Sequence, residues 1–416
     1  MGTLVPLEPV RQRPVTAAGK TAKVALVLGG GGVTGGVYAV GALRALDLLA
    51  VNMSVNQFDV YLGTSSGSFV AALAANGVTP EEMMQVVLGE RPAAFRDLDA
   101  GMLLPPNLPG LLRSGIGLPR HLLELAYQVA TARGGGALID ALVAFADSLP
   151  AGFATTRGIE RYLREVLAHP ERSDDFRTLA RELYIVATDL DSCERIVFGE
   201  PAWDHVAISR AVSASTALPV LYAPVTIAGR ELIDGGIVST TNLDVAAAHG
   251  ATLIVVVNPL VPFSNEGGSS RADADRGSRS RRVSDFGFSR IAYQSFKLLA
   301  HQRLHERSES WAARFPGVDI VLIEPDRDDR LMFETSLMSY SSRIDIATHG
   351  FRSVTHRLAG DYDRLKEICA RHGVEISAER VRGVLEHFAP EQERSQGWRR
   401  IFEQTTGALL RQSGGS

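Results

Sequence analysis

The chain is poor in cysteine. Only Cys193 and Cys369 occur in 416 residues, which excludes a disulfide framework and a cysteine-rich metal centre and suits a reducing compartment. Aromatics are scarce at 7%, and neither charge dominates: Lys plus Arg is 43, Asp plus Glu 47, the formal net charge -4. Nothing in that balance calls for a nucleic-acid partner. The N-terminal "MGTLVPLEPVRQRPVTAAGK" lacks an apolar core of signal-peptide length and has Pro6 where a myristoylation pattern needs serine or threonine. An uncharged stretch long enough to span a bilayer runs from Val24 to Leu43, but it holds seven glycines. Each costs a helix roughly 1 kcal/mol relative to alanine. It therefore reads as strand, loop and helix, with no transmembrane segment.

What remains is 45% hydrophobic and 22% charged, enough for one large α/β domain or two ordinary ones. "KVALVL" reads as a buried strand, "VYAVGALRALDLLA" as a helix, "FDVYL" as a strand and "SFVAALAANG" as a helix stopped by Gly77. In "TPEEMMQVVLG", Thr79 is an N-cap and Pro80 the first helical residue. Proline, glycine and leucine mix from about Arg91 to Leu179, which suggests a helical insertion. "LYIVATDL" with "ERIVFG", and "PVTIAGRELIDGG" around Ala228-Gly229, read as hairpins; "ATLIVVVN" and "VDIVLIEP" read as further strands. Strands alternating with helices argue for a largely parallel, layered α/β sheet. The expected divisions are a flexible leader at 1–20, a main α/β unit at 21–260 with the insertion at 91–179, a disordered loop at 264–284, and a helical extension at 285–416 with one strand near 318–324.

Three short motifs carry chemistry. Gly63-Thr64-Ser65-Ser66-Gly67 fits G-x-S-x-G, a strand-to-helix elbow that exposes a nucleophilic serine. Ser and Gly are also ordinary at a tight turn with a helix cap. Gly30 to Gly35, "GGGVTG", fits the dinucleotide pattern G-x-G-x-x-G after a strand. That reading needs an acid at the end of the second strand, where this chain has "GTSSG". The same consecutive amides at a helix N-terminus can hold the oxyanion of a tetrahedral intermediate, beside a serine on the neighbouring strand. A base is then required. None of the ten histidines adjoins a strand end with a glycine turn; most fall in charged helical contexts and read as exposed. Asp234 does adjoin such an end, in "ELIDGG", although D-G is also a common turn pair.

Taken in order, "GGGGVTGG", "GTSSG" and "DGG", with "VATDLDSCERIVF" and "AVSASTALPV" between them, resemble the patatin-like phospholipases over roughly residues 23 to 260. The resemblance implies a three-layer α/β/α fold with a mostly parallel central sheet, a helical insertion and C-terminal helices. It implies a Ser-Asp dyad acting on lipid esters, with Ser65 as nucleophile, Asp234 as general base, and Gly30, Gly31 and Gly32 as oxyanion hole. Gly35, Gly63, Gly67, Gly235 and Gly236 complete the motifs. No cofactor and no metal are expected. Thr34 stands where the family commonly has Lys or Arg. The expected partners are a phospholipid or other lipid ester and a transient membrane surface, in the cytoplasm and peripheral to the inner membrane face; oligomeric state is left open. Residues 95–150 are the candidate lid and acyl channel, with ordinary helical packing as the alternative. Met102 to Pro119 is the candidate interfacial segment, and the stripe Phe288, Ile291, Phe296 and Leu299 reads as core-facing. Two other function classes stay open: a dinucleotide binder, and a catalytically silent lipid-binding protein of the same fold.

Overall fold

Strand β1 (Val24–Leu28) has every side chain buried. A strand covered on both faces needs an unbroken apolar run, and "VALVL" supplies one. The computed structural model describes residues 22–90, 93, 95–96, 100–115, 150–265, 282–308 and 311–380. The expected leader, most of the expected 264–284 loop and the 116–149 part of the insertion lie outside the described residues.

The elements follow in chain order. Helix α1 (Gly32–Leu49), β2 (Val60–Thr64), α2 (Ser66–Ala75) and α3 (Pro80–Leu88) come after β1. Next are α4 (Ala100–Leu103), α5 (Leu108–Gly115), β3 (Gly152–Ala154), α6 (Arg157–Leu167), β4 (Glu182–Asp189), β5 (Arg195–Phe198) and α7 (Ile208–Ser215). Then come β6 (Val220–Tyr222), β7 (Val225–Ile227), β8 (Arg230–Asp234), α8 (Leu243–Ala248) and β9 (Leu253–Val257). The chain continues through α9 (Phe288–Ser308), α10 (Trp311–Arg314), β10 (Asp319–Ile323), α11 (Arg330–Glu334), α12 (Arg343–Gly360) and α13 (Tyr362–Arg371).

Eight strands form one sheet in the order β10-β9-β1-β2-β4-β8-β7, with β5 beside β4. The pairs from β10 through β4 are parallel, and those of β5, β8 and β7 antiparallel. The sheet divides two cores. On one face Val24, Leu26 and Leu28 meet α1, α2, α3, α6, α7 and α12; on the other Ala25 and Val27 meet α8 and Leu304 of α9. Three layers result, as the alternation of side chains along β1 requires.

Local signals act as the sequence suggests. Thr79 and Glu82 close a capping box at α3, with Pro80 at its first position. Ala228 and Gly229, at φ 51 and 79, make the turn between β7 and β8. The expected extension after residue 285 is continuous with the core as far as residue 380, and its part from 381 to 416 lies outside the described residues. Strand β10 pairs with β9, and α12 crosses α1 so closely that a Cβ on Gly41 would lie 2.2 Å from the Ala347 carbonyl oxygen. Helix α1 is long and apolar enough to cross a membrane by composition, yet here it is mostly buried between the sheet and α12.

Helix α9 overturns one expectation. Its apolar stripe points outward: Phe288 is 87% exposed and Leu299 60%, with Ile291 and Leu298 also exposed. Of the stripe only Phe296 turns in, half-buried against the cavity that holds Ser65. The inward face is polar. Arg290 donates to the Phe333, Glu334 and Thr335 carbonyls, Gln294 exchanges two hydrogen bonds with the Phe263 backbone, and Lys297 and His301 are buried. A helical period gives a stripe; it does not say which side of the helix finds the core.

Candidate active site

Strand β2 ends at Thr64 and α2 starts at Ser66, which leaves Ser65 on the corner at φ 55, ψ -131. That backbone is rare for a side-chain-bearing residue and costs on the order of 1–3 kcal/mol. The surroundings enforce it. The Ser65 N–H donates to Ser215 Oγ at 2.9 Å, and that hydroxyl donates to the Val186 carbonyl at 2.6 Å. The Ser65 carbonyl accepts from the Ser68 amide and hydroxyl. The flanking glycines are steric necessities. A Cβ on Gly63 would lie 2.3 Å from Ser68 Cα, and one on Gly67 2.2 Å from the Leu28 carbonyl oxygen.

Register on β4 brings the aspartate to the serine. Strand β2 runs beside β4 as far as Thr64 opposite Val186. Strand β8 takes over that same edge, with Asp234 opposite Ala187; β5 occupies the other edge. Asp234 thus stands directly beyond the end of β2, where Ser65 turns. It is buried, its Oδ1 accepts the Gly236 N–H at 2.8 Å, and its own N–H donates to the Ala217 carbonyl. Burial pushes its carboxyl up from 3.8 to about 6, opposed by the neighbouring Ser65 side chain and the Gly236 amide. Gly235 lets β8 pass β4, since a Cβ there would lie 2.3 Å from the Val186 carbonyl oxygen.

The glycine loop lies against the serine. A Cβ on Gly30 would stand 2.8 Å from Ser65 Cβ. The amides of Gly29, Thr34 and Gly35 are spent on the Val257, Leu337 and Gly31 carbonyls. Those of Gly30, Gly31 and Gly32 find no acceptor among the described residues, and they sit at the positive end of α1. Such amides suit an oxyanion. Thr34 uses its hydroxyl to donate to the Ser336 carbonyl at 2.7 Å, so the residue in place of a basic one ties the loop to the chain after α11.

Ser65, Asp234 and Gly30, Gly31 and Gly32 all line one cavity of ≈ 720 Å³. Its walls are apolar: Phe69, Leu73, Val86, Tyr162, Tyr222 and Leu337 among them, with Phe95 and Leu103 from the expected lid segment. Among the described residues no histidine lines it. The histidines are also less exposed than expected. His301 and His372 are buried, and His249 stacks on Tyr184.

Sequence reasoning missed the supporting residues. Ser215 lies inside the quoted "AVSASTALPV", but nothing local marks it as the anchor of the elbow. Asn242, fully buried in the left-handed region, donates to Thr64 Oγ1 at 3.0 Å and holds the end of β2. The Ser336-Leu337 strap has no sequence signal at all.

Comparison with known proteins identifies the family. The family model for patatin-like phospholipases matches residues 26–247, more than half of the chain, and the chain belongs to that family. A curated relative is the probable lipid hydrolase 463L of Invertebrate iridescent virus 6, 23% identical over 224 residues, or 54% of this chain and 63% of that protein. The match therefore spans less than two thirds of the viral protein. Among solved structures, VipD from Legionella pneumophila aligns with TM-score 0.36 and 15% identity over 86% of this chain and 72% of that one. The type III effector ExoU of Pseudomonas aeruginosa aligns with TM-score 0.32 and 17% identity, over 82% and 53%.

Proposed function

We propose that the protein is a serine lipid acyl hydrolase, of phospholipase A or lysophospholipase type, working through a Ser65-Asp234 dyad. The observation that carries this is the β4 register, which sets a strained serine beside a buried aspartate at the wall of an apolar cavity. Ser65 Oγ attacks the ester carbonyl carbon as Asp234 takes its proton. The Gly30, Gly31 and Gly32 amides hold the oxyanion. The carbonyl reforms, the alcohol leaves with the proton from Asp234, and water attacks the acyl-enzyme by the reverse use of the same aspartate. An ordinary aspartate is a weak base; one near 6 is matched to neutral pH. The acyl chain lies among Phe69, Leu73, Val86 and Tyr162.

The substrate is drawn from a membrane surface. Two groups of exposed apolar residues support this: Leu104, Leu108, Leu112, Phe153 and Val220 on one side, Phe288, Ile291, Leu298 and Leu299 of α9 on the other. Neighbours of both groups, Leu103, Leu221, Ala292 and Phe296, line the cavity itself. A cytoplasmic setting at the inner membrane face belongs to the same proposal, supported by two unpaired cysteines.

A fluorophosphonate probe tests the reading. It should label Ser65 and no other serine, and Ser65→Ala should lose both labelling and ester hydrolysis while keeping its fold. A panel of phospholipids, lysophospholipids and neutral lipids then assigns the head group. Labelling of Ser66 or Ser68 would overturn the assignment. An intact fold that binds lipid but takes no label would select the silent binder instead.

A further inference from the structure

The inward face of α9 carries a second cluster of donor groups, in a pocket apart from Ser65 and Asp234. We infer that His301, His305 and Glu324 form a divalent-metal site, of the zinc class, that fastens α9 to the end of β10. His301 and His305 are four residues apart and share a helix face. Their rings lie 3.9 Å apart, 21° from parallel. Glu324 follows β10 directly, and its Oε2 is 3.0 Å from His305 Nε2. One donor atom from each of the three lies within 4.8 Å of the others. Around a tetrahedral zinc ion with bonds of ~2.0–2.2 Å, donor atoms stand ~3.3 Å apart. The His305–Glu324 pair is already near that spacing, and the widest pair closes by no more than about 1.5 Å.

The setting is that of a site built for an ion. Glu324 and His301 are buried, His305 half-buried. Asn258 Nδ2 donates to Glu324 Oε1 at 2.7 Å and fixes the carboxylate from behind, the usual task of a residue outside the ligand set. The three residues line an open pocket of ≈ 630 Å³, which leaves a fourth position to water. That pocket shares no lining residue with the one holding Ser65. Its charges are mixed. Glu324 and Asp326 favour a cation; Arg327, with Nη2 3.4 Å from His301 Nδ1, and Arg357 oppose it.

The fold gives the ion a task. Helix α9 turns most of its apolar side outward, so polar contacts, together with Leu304 in the core, hold it down. It also presents Arg290, Tyr293 and Phe296 to the cavity of Ser65. A bond between α9 and β10 therefore sets one wall of that cavity.

The test uses the untagged full-length chain, stripped with chelator, dialysed and titrated with Zn²⁺ against a chromophoric competitor. One equivalent per chain should bind, with Kd tighter than about 1 μM, and the midpoint of thermal unfolding should rise with zinc. His305→Ala should weaken binding by ~100-fold or more with unchanged circular dichroism, whereas Arg327→Gln should bind at least as tightly as the native chain. If His305→Ala does not fold, Glu324→Gln carries the same comparison. Binding weaker than about 1 μM in the native chain, or equal affinity in the native chain and the ligand variant, overturns the site. Fluorophosphonate labelling of Ser65 is read separately and does not depend on the outcome.

Discussion

Asp234→Asn separates the chemistry of the buried carboxyl from its cost to the fold. The carboxyl titrates near 3.8 in an unfolded chain and at about 6 in the folded one, because burial disfavours its charge. The folded state then binds more protons than the unfolded state between those two values. Stability from this group is fully present below the lower value and is lost as pH rises through the upper one. The loss amounts to about 3 kcal/mol by neutral pH. Asparagine has nearly the same shape, keeps an oxygen for the Gly236 amide, and does not titrate. The variant should therefore gain stability relative to the native chain as pH rises from about 4 to about 8, by up to about 3 kcal/mol. Denaturant unfolding of both chains at each pH measures this, and every other titrating group cancels in the difference. Over the same range the variant should lose ester hydrolysis by ~10³-fold or more, while native kcat/KM falls on the acid side with an apparent pKa of about 6. A stability difference that stays flat with pH would refute the burial argument. Near-normal turnover in a variant that shows the stability gain would refute the base and leave the burial standing.

Three further outcomes follow from the same geometry. Gly30→Ala places a methyl 2.8 Å from Ser65 Cβ and should abolish fluorophosphonate labelling in a chain that still folds by circular dichroism; normal labelling would mean that the loop moves freely. Paired Leu108→Ser and Leu112→Ser, or Phe288→Ser and Leu299→Ser, remove exposed apolar side chains and should lower hydrolysis on vesicles more than on a soluble short-chain ester, with equal losses on both substrates counting against a docking role. In a soluble ester series, each added methylene buried in the cavity contributes ~0.8 kcal/mol, or roughly 4-fold in kcat/KM, until the cavity is filled; no dependence on chain length would remove it from acyl binding.

Much of the fold was legible because its signals are local. The run "VALVL" needs two covered faces, Thr79-Pro80 starts a helix, and Ala228-Gly229 turns a hairpin; each statement involves fewer than a dozen neighbouring residues. The three motifs were legible because each is a short run of consecutive residues, although only Gly63 is forced by neighbours in sequence, Gly67 and Gly235 being forced by Leu28 and Val186 on other strands. What brings Ser65 to Asp234 was not legible. It depends on β8 following β2 along one edge of β4, through pairings that join Thr64 to Val186 and Ala187 to Asp234, far apart in the sequence. Ser215, Asn242 and the Ser336-Leu337 strap escaped for the same reason, because each acts on a distant strand end or loop.

Helix α9 shows a different kind of failure. Its period was read correctly and its orientation was not. Phe288, Ile291 and Leu299 mark a face, and the default is that an apolar face seeks the core. Here the opposite face had stronger partners. Arg290 caps the carbonyls that end α11, Gln294 pairs with the Phe263 backbone, and His305 meets Glu324. Each partner belongs to an element after β9, and none is visible from the helix alone. A helix held by its polar side leaves its apolar side exposed among the described residues. On the proposed function, that exposed face meets the membrane from which the acyl chain is drawn. The same inversion explains why two histidines and a lysine, each ordinary on a solvated helix, are drawn inward where their charge is costly. Burial pushes Lys297 down to about 8 and His301 down to about 4. At neutral pH His301 is therefore held uncharged, while Lys297 keeps most of its charge.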